Sequence, residues 1–419
     1  MKEREHEGMR NEGNIIRSEE GEKNKQEHSI TSINKGIDKI KRGLTSIIEE
    51  QDFDQLLKSG KTLRIKLGID PTASLIHLGH LVLIFKLREF QEIGHEVCLI
   101  IGDFTAQIGD PSGRTSLRPK LSEHEVKENA KEILTKVKRF LIEERTRVYF
   151  NSEWFKSIGT TKLFELFSKG TVAQIIARED FKKRMQQKSP IYVHEFLYPF
   201  LQAYDSVVVR ADIELGGSDQ LFNLLFAREI MKEYGLPPEV CITTPILEGT
   251  DGKLKMSKSY GNYITPDEPP EDIYGKLMGV DDELIFKYAE LLGGYENNEL
   301  DELKKIHRFE AKTQIAFKIT ARLKGEKEAL RAKEWFNKVI REKEIPEEIP
   351  QIYAKEGEIL QKVLKEAGVV SSVSEATRLT ESGGIYINGE KVKEKFFELK
   401  KGEYKIRVGK TKFLKLIVK

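Results

Sequence analysis

Apolar residues at regular spacing predict a long helix followed by a βαβ unit in the first quarter of the chain. The helix is expected over residues 33–60, where one face would be formed by Ile37, Ile40, Leu44 and Ile47. An apolar strand over 63–69, a turn, a helix that begins near His77 and a strand over 96–104 come next. This order is typical of a parallel sheet.

The middle of the chain continues with helical segments and one more strand. Residues 125–145 and most of 160–200 have helical patterns, and the second segment carries many aromatic residues. A strand is expected over 206–215, followed by a glycine turn at 216–217 and a helix that runs to 235. These elements extend the same parallel sheet.

The pattern changes beyond the prolines near residue 266. Nearly all of 271–342 has helical spacing, and a linker with two prolines ends that region. Residues 356–419 combine short helices with alternating strands, and Asn388-Gly389 between two strands predicts a hairpin. We therefore expect an α/β domain, an α-helical domain and a small α+β domain.

The net charge of the whole chain does not indicate whether it binds nucleic acid, so the local charge has to be considered. The chain has 419 residues, enough for two or three domains, and a net charge of +2. Between residues 355 and 419, however, fifteen Lys or Arg stand against nine Asp or Glu. This local excess fits either a solvated surface or an RNA-facing patch.

Cysteine usage and the apolar runs argue against several classes of protein. Cys98 and Cys241 are far apart and form no CxxC pattern, which fits a reducing compartment without a disulfide scaffold or zinc ribbon. The longest apolar stretches, such as 97–101, are too short to span a bilayer. Residues 1–30 are rich in glutamate and lack an apolar core, so we expect a disordered extension and no targeting signal.

Two histidines, His77 and His80, flank Gly79 at the expected start of a helix. They could ligate a metal, act as a base, bind a phosphate, or be incidental to function. The N-terminus of a helix is a natural phosphate site because its backbone N–H groups are free. A zinc site would need a third ligand and usually i, i+4 spacing, so no protein-held metal is expected.

A second candidate is the loop segment 255-KMSKS-259, in which Lys255 and Lys258 lie three residues apart. Lysine suits phosphate binding as a mobile point charge, although a lysine-rich loop is commonly just solvated. The succession of HLGH after the first strand and KMSKS about 175 residues later resembles the two signatures of class I aminoacyl-tRNA synthetases.

The residues between these signatures resemble tyrosyl-tRNA synthetases, in particular the second bacterial type with KLGIDPTA. The matching stretches are 102-GDFTAQIGDPSGR-114, 198-YPFLQAYD-205 and 216-GGSDQ-220. The SEATRL segment and the following ING hairpin resemble an S-four RNA-binding domain, and residues 309–329 resemble an anticodon-binding helical domain.

The resemblance implies a Rossmann-like parallel-sheet catalytic domain, then an α-helical domain and a small α+β RNA-binding domain. The boundaries that we expect are 1–30 for the extension, 31–266 for the catalytic domain with an insertion at about 115–205, 267–345 for the anticodon-binding domain, 346–355 for a linker and 356–419 for the S-four-like domain. The implied function is that of a cytoplasmic tyrosine–tRNA ligase, a homodimer that uses ATP, Mg²⁺, L-tyrosine and tRNA(Tyr), with no membrane partner.

For the nucleotide, the resemblance implies a set of phosphate- and ribose-binding residues. Thr72 and His77 would reach the γ-phosphate and His80 the ribose. Residues implied in catalysis or ATP binding also include Asp70, Gly79, Arg114, Arg118, Gly216, Gly217, Asp219, Lys255, Met256, Ser257 and Lys258. Asp219 would accept from the ribose hydroxyls, and the two lysines and two arginines would contact the pyrophosphate.

For tyrosine, the resemblance implies that Asp205 accepts the phenolic hydroxyl. The α-ammonium would be held by Asp110, Tyr198 and Gln202, and Gln220 would lie near the carboxylate. Taken singly, Asp110 before Pro111 fits an ordinary turn and Asp205 an ordinary helix end.

The chain departs from many tyrosyl enzymes at three positions. Lys66, two residues before the strand glycine Gly68, stands where many have tyrosine; Glu214 replaces a glutamine and Leu221 a tryptophan. Lys66 and Gly68 are still expected in the tyrosine pocket, with the phenol contact resting mainly on Asp205.

RNA binding in the last domain is expected from basic side chains, namely Arg378, Lys391 and Lys393. Two other functions stay open: a synthetase for another aromatic amino acid, tryptophan, and a non-catalytic RNA-binding paralogue. Asp205 with Gln202 argues against an indole pocket, and the presence of both signatures argues against a paralogue that has lost catalysis.

Overall fold

The computed structural model describes residues 34–109, 121–341, 349–409 and 412–419. The extension expected over 1–30 and the predicted site residues Asp110, Arg114 and Arg118 lie outside this range. The chain divides into two compact units. The first runs up to Thr265 and includes Phe286–Leu303; the second comprises Pro266–Ile285 and Lys304–Lys419.

The first unit is built on a mostly parallel sheet with helices between its strands. The strands are β1 (Ser46–Ile48), β2 (Arg64–Ile69), β3 (Glu96–Ile101), β4 (Thr146–Phe150), β5 (Ile213–Gly217) and β6 (Val240–Thr244). The helices are α1 (34–41), α2 (Glu50–Lys58), α3 (Leu78–Glu92), α4 (Thr105–Ile108), α5 (Glu123–Lys138), α6 (Ser152–Phe155), α7 (Thr160–Ser168), α8 (Val172–Ile176), α9 (Glu179–Gln186), α10 (Val193–Val209) and α11 (Leu221–Glu233).

The sheet has the strand order β1-β6-β5-β2-β3-β4, and all its neighbouring strands run parallel except β1 and β6. The chain leaves β2 toward β3 on one side, and β5 lies on the other, so the strand order reverses between β2 and β5. Parallel sheets of this kind are covered on both faces, which is why β3 is almost continuously buried. The α/β class expected for this part of the chain is confirmed.

The single helix predicted over 33–60 is wrong in its middle part. Gly43 has φ of +67° and Glu49 has φ of +64°, both in the left-handed region where a right-handed helix cannot continue. Between them, β1 pairs antiparallel with β6 and forms one edge of the sheet, so Ile47 lies opposite Ile242. Backbone hydrogen bonds to a sheet edge therefore replace the helix that the apolar spacing predicts.

The strand predicted over 206–215 is wrong in its first half. Helix α10 continues through Val209 and ends at Arg210, which has φ of +50°. The three valines favour a strand intrinsically, but α10 packs against an aromatic core that includes Phe155, Phe181, Phe200 and Phe226. Tertiary packing thus overrides β-propensity here, and this keeps Gln202, Asp205 and Ser206 on one continuous helix.

The second unit contains helices followed by a small sheet. The helices of this region are α12 (Pro270–Gly279), α13 (Leu284–Leu292), α14 (Asn297–Lys305), α15 (Arg308–Lys324), α16 (Glu326–Phe336), α17 (Leu360–Glu366) and α18 (Val373–Glu381), and α13 and α14 cross the boundary between the two units. The strands are β7 (Gln351–Ala354), β8 (Ile385–Ile387), β9 (Glu390–Lys391), β10 (Gly402–Val408) and β11 (Lys412–Val418), in the order β7-β11-β10-β8-β9.

The predicted hairpin at Asn388-Gly389 is confirmed. Both residues have positive φ, +50° and +90°, and Ile387 pairs with Glu390 across the two-residue loop. Residues from 354 to 418 form a hydrophobic core of their own, in which Leu360, Leu364, Leu399 and Leu416 are fully buried. In the described ranges, no helix is long and apolar enough to cross a membrane.

Candidate functional site

A pocket opens at the carboxyl ends of β2 and β5, where the strand order reverses. Open parallel sheets commonly bind ligands at such a point. Ten of the residues predicted to contact substrates line this pocket: Lys66, Gly68, Asp70, Thr72, Tyr198, Gln202, Asp205, Gly216, Gly217 and Gln220. Residues that are up to 154 positions apart in the sequence, Lys66 and Gln220, thus meet in one cavity.

Eight further lining residues were not predicted: Leu67, Ile69, Leu83, Ile100, Gly102, Thr105, Glu214 and Leu215. Gly102 and Thr105 belong to the motif 102–114, so that motif contained a signal for them. Glu214 was noted as a departure from related enzymes, without a role in the site. Leu83 lies within α3, where nothing in the sequence distinguishes it from other core leucines.

Asp70 is held at the pocket wall by two hydroxyl donors. Thr105 Oγ1 donates to Asp70 Oδ1 at 2.7 Å, and Tyr198 Oη donates to Asp70 Oδ2 at 3.0 Å. A Cβ at Gly102 would lie 2.1 Å from Asp70 Oδ1 and 2.3 Å from Thr105 Oγ1. Glycine is therefore required at 102 because a side chain would displace this bond.

Asp205 lies on α10 with both carboxyl oxygens in contact with neutral donors. Trp154 Nε1 donates to Asp205 Oδ1 at 2.9 Å, and Asn151 Nδ2 lies 3.4 Å from Oδ2. Burial raises the pKa of Asp205 to about 7, and Lys66 together with these two donors offsets the effect only in part. Neither Trp154 nor Asn151 was predicted, since neither lies in a motif quoted from the sequence.

Lys66 lies at the base of the pocket and is fully buried. Its Nζ lies 2.8 Å from Glu214 Oε1 and donates to the Gln202 backbone carbonyl at 2.9 Å and to Ser206 Oγ at 2.6 Å. Burial opposes the charge on Lys66, but the carboxylates of Glu214, Glu239 and Asp205 raise its pKa above the usual value. Lys66 is thus held as a cation.

Two buried glutamates share the space behind Lys66. Burial would raise the pKa of Glu214, but the charge of Lys66, together with hydrogen bonds to Glu239, Lys66 and Gln202, holds that pKa below the usual range. Burial and the charge of Glu214 raise the pKa of Glu239 well above its usual value. Ser206 Oγ accepts from Lys66 and lies 3.0 Å from Glu239 Oε1. The arrangement is an ion pair backed by a carboxyl that favours its neutral form.

A chain of side-chain amides orients Gln202. Gln202 Nε2 donates to Glu214 Oε1 at 3.1 Å, and Gln202 Oε1 accepts from Asn223 Nδ2 at 3.0 Å. Asn223 also donates to Gln220 at 3.0 Å and accepts from the buried guanidinium of Arg178 at 3.1 Å. Two of the predicted tyrosine-binding residues are therefore linked through Asn223.

The two histidines form the N-terminal cap of α3. His77 Nδ1 accepts from the Gly79 backbone N–H at 3.2 Å, and His80 Nδ1 accepts from the His77 backbone N–H at 3.2 Å. Burial lowers the pKa of His77 to about 3, with a smaller effect from His80, and lowers the pKa of His80 to about 4. Both rings are therefore neutral near pH 7, and because each Nδ1 accepts, each Nε2 carries the hydrogen.

Gly79 has a structural requirement of its own. A Cβ there would lie 3.0 Å from His77 Cε1 and 3.9 Å from Met256 Cβ. The second signature loop therefore approaches the first through Met256, whose side chain is buried. The two lysines of this loop, Lys255 and Lys258, are exposed and are not among the residues that line the pocket.

Asn262, which no sequence pattern singled out, holds the signature loop together. Its Nδ2 lies 3.1 Å from Asp251 Oδ1 and 3.2 Å from the Lys255 carbonyl, and its Oδ1 accepts from the Ser257 N–H at 2.9 Å. The loop backbone at Lys255 and at Ser257, between the two lysines, is thereby tied to one buried amide.

The turn after β5 places Asp219 beside a glycine. Asp219 is exposed, and a Cβ at Gly217 would lie 2.7 Å from Asp219 Oδ1. Gly217 has φ of −70°, so close approach and not backbone conformation requires glycine there. His77, Gly79, His80, Asp219 and the signature loop lie outside the set of lining residues.

In the last domain, the predicted RNA-binding residues are all exposed: Arg378 lies on α18, Lys391 on β9, and Lys393 just after β9. Two residues that the sequence did not single out lie in register with Lys391: Tyr386 pairs with Lys391 and with Arg407, whose guanidinium carbon lies 3.8 Å from the Tyr386 ring centroid. Stacked arginine and aromatic side chains suit nucleotide bases.

Two families match successive parts of the chain. Residues 58–341 match the model described as tRNA synthetases class I (W and Y), and residues 360–403 match the model of the S4 domain. The resemblance drawn from the two signatures and from the SEATRL segment is confirmed.

Curated relatives match over most of the chain. The tyrosine–tRNA ligase of Aquifex aeolicus is 49% identical over 381 residues, which are 90% of this chain and 97% of the relative. The tyrosine–tRNA ligase of Thermotoga maritima is 48% identical over 90% of this chain and 96% of its own length. Among solved structures, a truncated mitochondrial tyrosyl-tRNA synthetase from Aspergillus nidulans has a TM-score of 0.61 at 20% identity and covers 71% of this chain and 92% of its own. That last likeness supports the fold.

Proposed function

Since the chain belongs to the class I tRNA synthetases of the tryptophan and tyrosine type, we propose that it is a tyrosine–tRNA ligase. It would activate L-tyrosine with ATP to tyrosyl-adenylate and transfer the tyrosyl group to tRNA(Tyr). The observation that carries the choice of amino acid is Asp205, a buried carboxyl that lines the pocket and is oriented by Trp154 and Asn151.

The phenolic hydroxyl of tyrosine is proposed to donate to Asp205. With phenylalanine in the pocket, the carboxyl would have no such donor, and a buried polar group without a partner is costly. A site built for a hydroxyl therefore rejects the analogue that lacks it, and tyrosyl enzymes are themselves the standard example of this asymmetry. Tyr198, Gln202 and Asp110 would hold the α-ammonium, and Gln220 would lie near the carboxylate.

On the nucleotide side, the proposed donors include both neutral groups and positively charged groups. Thr72 and the Nε2–H of His77 would reach the γ-phosphate, and the Nε2–H of His80 the ribose. Lys255 and Lys258 would come onto the pyrophosphate by movement of their exposed loop, together with Arg114 and Arg118. Asp219 would accept from the ribose hydroxyls.

The first reaction needs no general base. The tyrosine carboxylate is already ionised, so one of its oxygens attacks the α-phosphorus in line, and the bond from that phosphorus to the β-phosphate oxygen breaks as pyrophosphate leaves. The residues of the chain would align the two reactants and stabilise the charge that grows on the leaving group. Neutral histidines suit this task as fixed dipoles, while the lysines supply charge.

Mg²⁺ is proposed to reach the site with ATP. Within the described ranges, no group of three or more His, Cys, Asp or Glu side chains is arranged to hold a metal ion. Mg²⁺ bound mainly by substrate phosphates and water needs no such cage, and it would help to neutralise the pyrophosphate.

In the second reaction, a hydroxyl of the terminal ribose of tRNA attacks the tyrosyl carbonyl carbon, and AMP leaves. The S4 domain would bind tRNA through Arg378, Lys391 and Lys393. We further propose that the residues 267–345 contact the anticodon, that residues 31–266 form the catalytic domain, and that the enzyme is a cytoplasmic homodimer.

The test is ATP–pyrophosphate exchange with tyrosine, tryptophan and phenylalanine, followed by aminoacylation of tRNA transcripts. We expect exchange with tyrosine and charging of tRNA(Tyr). Exchange with tryptophan and none with tyrosine would end the proposal, and RNA binding without exchange would favour a non-catalytic paralogue.

A further inference from the structure

Lys66 and Glu214 form a buried ion pair between the two strands that border the pocket. They are register partners on β2 and β5, and Lys66 Nζ lies 2.8 Å from Glu214 Oε1. The side chain of Lys66 is 0% exposed and that of Glu214 is 1% exposed. An isolated pair of this kind contributes little to stability, because the loss of hydration offsets the attraction.

The ammonium of Lys66 also contacts the helix that carries the proposed tyrosine contacts. It donates to the Gln202 carbonyl and to Ser206 Oγ, which lie one turn apart on α10. Asp205 lies between them in the sequence, and Gln202 Nε2 bonds back to Glu214. Lys66 thus joins α10, β2 and β5 at one atom.

Charge is unbalanced in this region. One ammonium, that of Lys66, is surrounded by the buried carboxyls of Asp205, Glu214 and Glu239. The side chains of Trp154 and Asn151, which donate hydrogen bonds to Asp205, are neutral. Burial raises the pKa of Asp205 most, the charge of Lys66 lowers it, and the charge of Glu214 raises it by a smaller effect.

We propose that Lys66 is a positioning and specificity-determining residue of the tyrosine pocket: tied to Glu214, it holds the Gln202–Asp205 face of α10 and supplies the positive charge that lets Asp205 accept a hydroxyl as a carboxylate. This inference rests on the proposed function. It gives a role to the lysine that stands where many tyrosyl enzymes have a tyrosine.

The sign of each charge makes the proposal testable. Among the causes that set the pKa of Asp205, Lys66 lowers it and Glu214 raises it, and the effect of Lys66 is the larger. Lys66→Met together with Glu214→Gln removes both charges of the ion pair, and the loss of the larger effect, that of Lys66, raises the pKa of Asp205. Glu214→Gln alone removes only the negative neighbour, so that pKa falls.

The measurement is kcat/KM for tyrosine in ATP–pyrophosphate exchange between pH 5.5 and 8.5, since this quantity reports ionisation of the free enzyme. The double variant should shift the rise in activity upward by about one pH unit, which lowers kcat/KM about tenfold at pH 6. Glu214→Gln should shift it downward. KM for ATP should stay within about twofold in both.

A matched control is the buried pair Lys86 and Glu89 on α3, with Nζ and Oε2 2.7 Å apart. Lys86→Met with Glu89→Gln removes the same chemical groups away from the pocket, so it should leave the pH profile for tyrosine unchanged. Thermal unfolding of each variant shows that the protein assayed is folded.

Shifts of the pH profile in opposite directions in the double variant and in Glu214→Gln support the proposal. A purely structural role predicts a lower kcat/KM for tyrosine without a shift of the pH profile. Profiles that coincide with the wild type in folded variants overturn it, and the single variant decides the matter if the double one does not fold. Wild-type enzyme without tyrosine-dependent exchange would instead contradict the proposed function itself.

Discussion

Trp154 Nε1 donates a hydrogen bond of 2.9 Å to Asp205 Oδ1, and so joins the short helix α6 to the carboxyl proposed to recognise tyrosine. The indole donor favours the ionised carboxyl. It also fixes one oxygen, which leaves the remaining lone pairs of Asp205 for a substrate hydroxyl.

Trp154→Phe should therefore impair tyrosine recognition selectively. A hydrogen bond to a charged group is worth about 1.5–3 kcal/mol, so kcat/KM for tyrosine should fall by about 10- to 100-fold. KM for ATP should change little. Trp335→Phe, in α16, is the matched control, and an equal loss from both variants would contradict a specific role for Trp154.

The two cap histidines should make stability pH-dependent at mildly acid pH. Their folded pKa values, about 3 and about 4, lie below the unfolded value near 6.5. The stability that they contribute is thus fully present above pH 6.5 and is lost as the pH falls toward 4. His80→Asn should reduce the difference in unfolding free energy between pH 7 and pH 5 by about 1–2 kcal/mol.

The exposed His124 on α5 provides the control for that experiment. His124→Asn should leave the pH dependence of unfolding close to the wild type. In the exchange assay, no transition in KM for ATP between pH 6 and 8 should depend on either histidine. Any transition in the wild type should therefore persist in His77→Asn and in His80→Asn. A transition that either variant removes would mean that the rings act as cations, contrary to the geometry of the cap.

Asn262→Ala should loosen the lysine loop without altering the tyrosine pocket. The change removes the amide that binds the loop at Asp251, Lys255 and Ser257. If alignment of the lysines on pyrophosphate depends on this amide, the exchange kcat should fall about 10- to 100-fold, as expected for a loss of about 1–3 kcal/mol. KM for tyrosine should not change. Asn298→Ala, at an exposed position, is the control and should behave as the wild type.

Removing the three basic side chains proposed to bind RNA should weaken RNA binding and spare activation. In a variant with Arg378, Lys391 and Lys393 all changed to Ala, tyrosine-dependent exchange should persist while KM for tRNA rises. The slope of log Kd against log salt should decrease, because fewer phosphates are neutralised. Replacing the exposed Lys35, Lys58 and Lys61 of the first unit should not reproduce either effect.

Local patterns predicted those features of the fold that local chemistry decides. His77 as the start of α3 and Asn388-Gly389 as a hairpin both follow from residues within a few positions. The predictions were wrong for the valines after Ser206 and for the isoleucines near Gly43. Packing against a distant core determined the conformation of the valines, and pairing at a sheet edge determined that of the isoleucines.

The same distinction applies to the site. Tyr198, Gln202 and Asp205 lie in a quoted motif, and all three line the pocket. The partners that set their chemistry are remote: Trp154 is 51 residues from Asp205, and Lys66 is 140 from Ser206. Lys66 and Glu214 were visible singly as departures, but their pairing depends on the register of β2 and β5, which no short motif encodes.

The central claim, that Asp205 selects tyrosine through its hydroxyl, is tested most directly by Asp205→Ala in ATP–pyrophosphate exchange with tyrosine and with phenylalanine. The claim predicts that kcat/KM for tyrosine falls by at least about 100-fold, that the preference for tyrosine over phenylalanine largely disappears, and that KM for ATP stays near the wild-type value. Equal losses in tyrosine and ATP binding, with the preference for tyrosine intact, would contradict it.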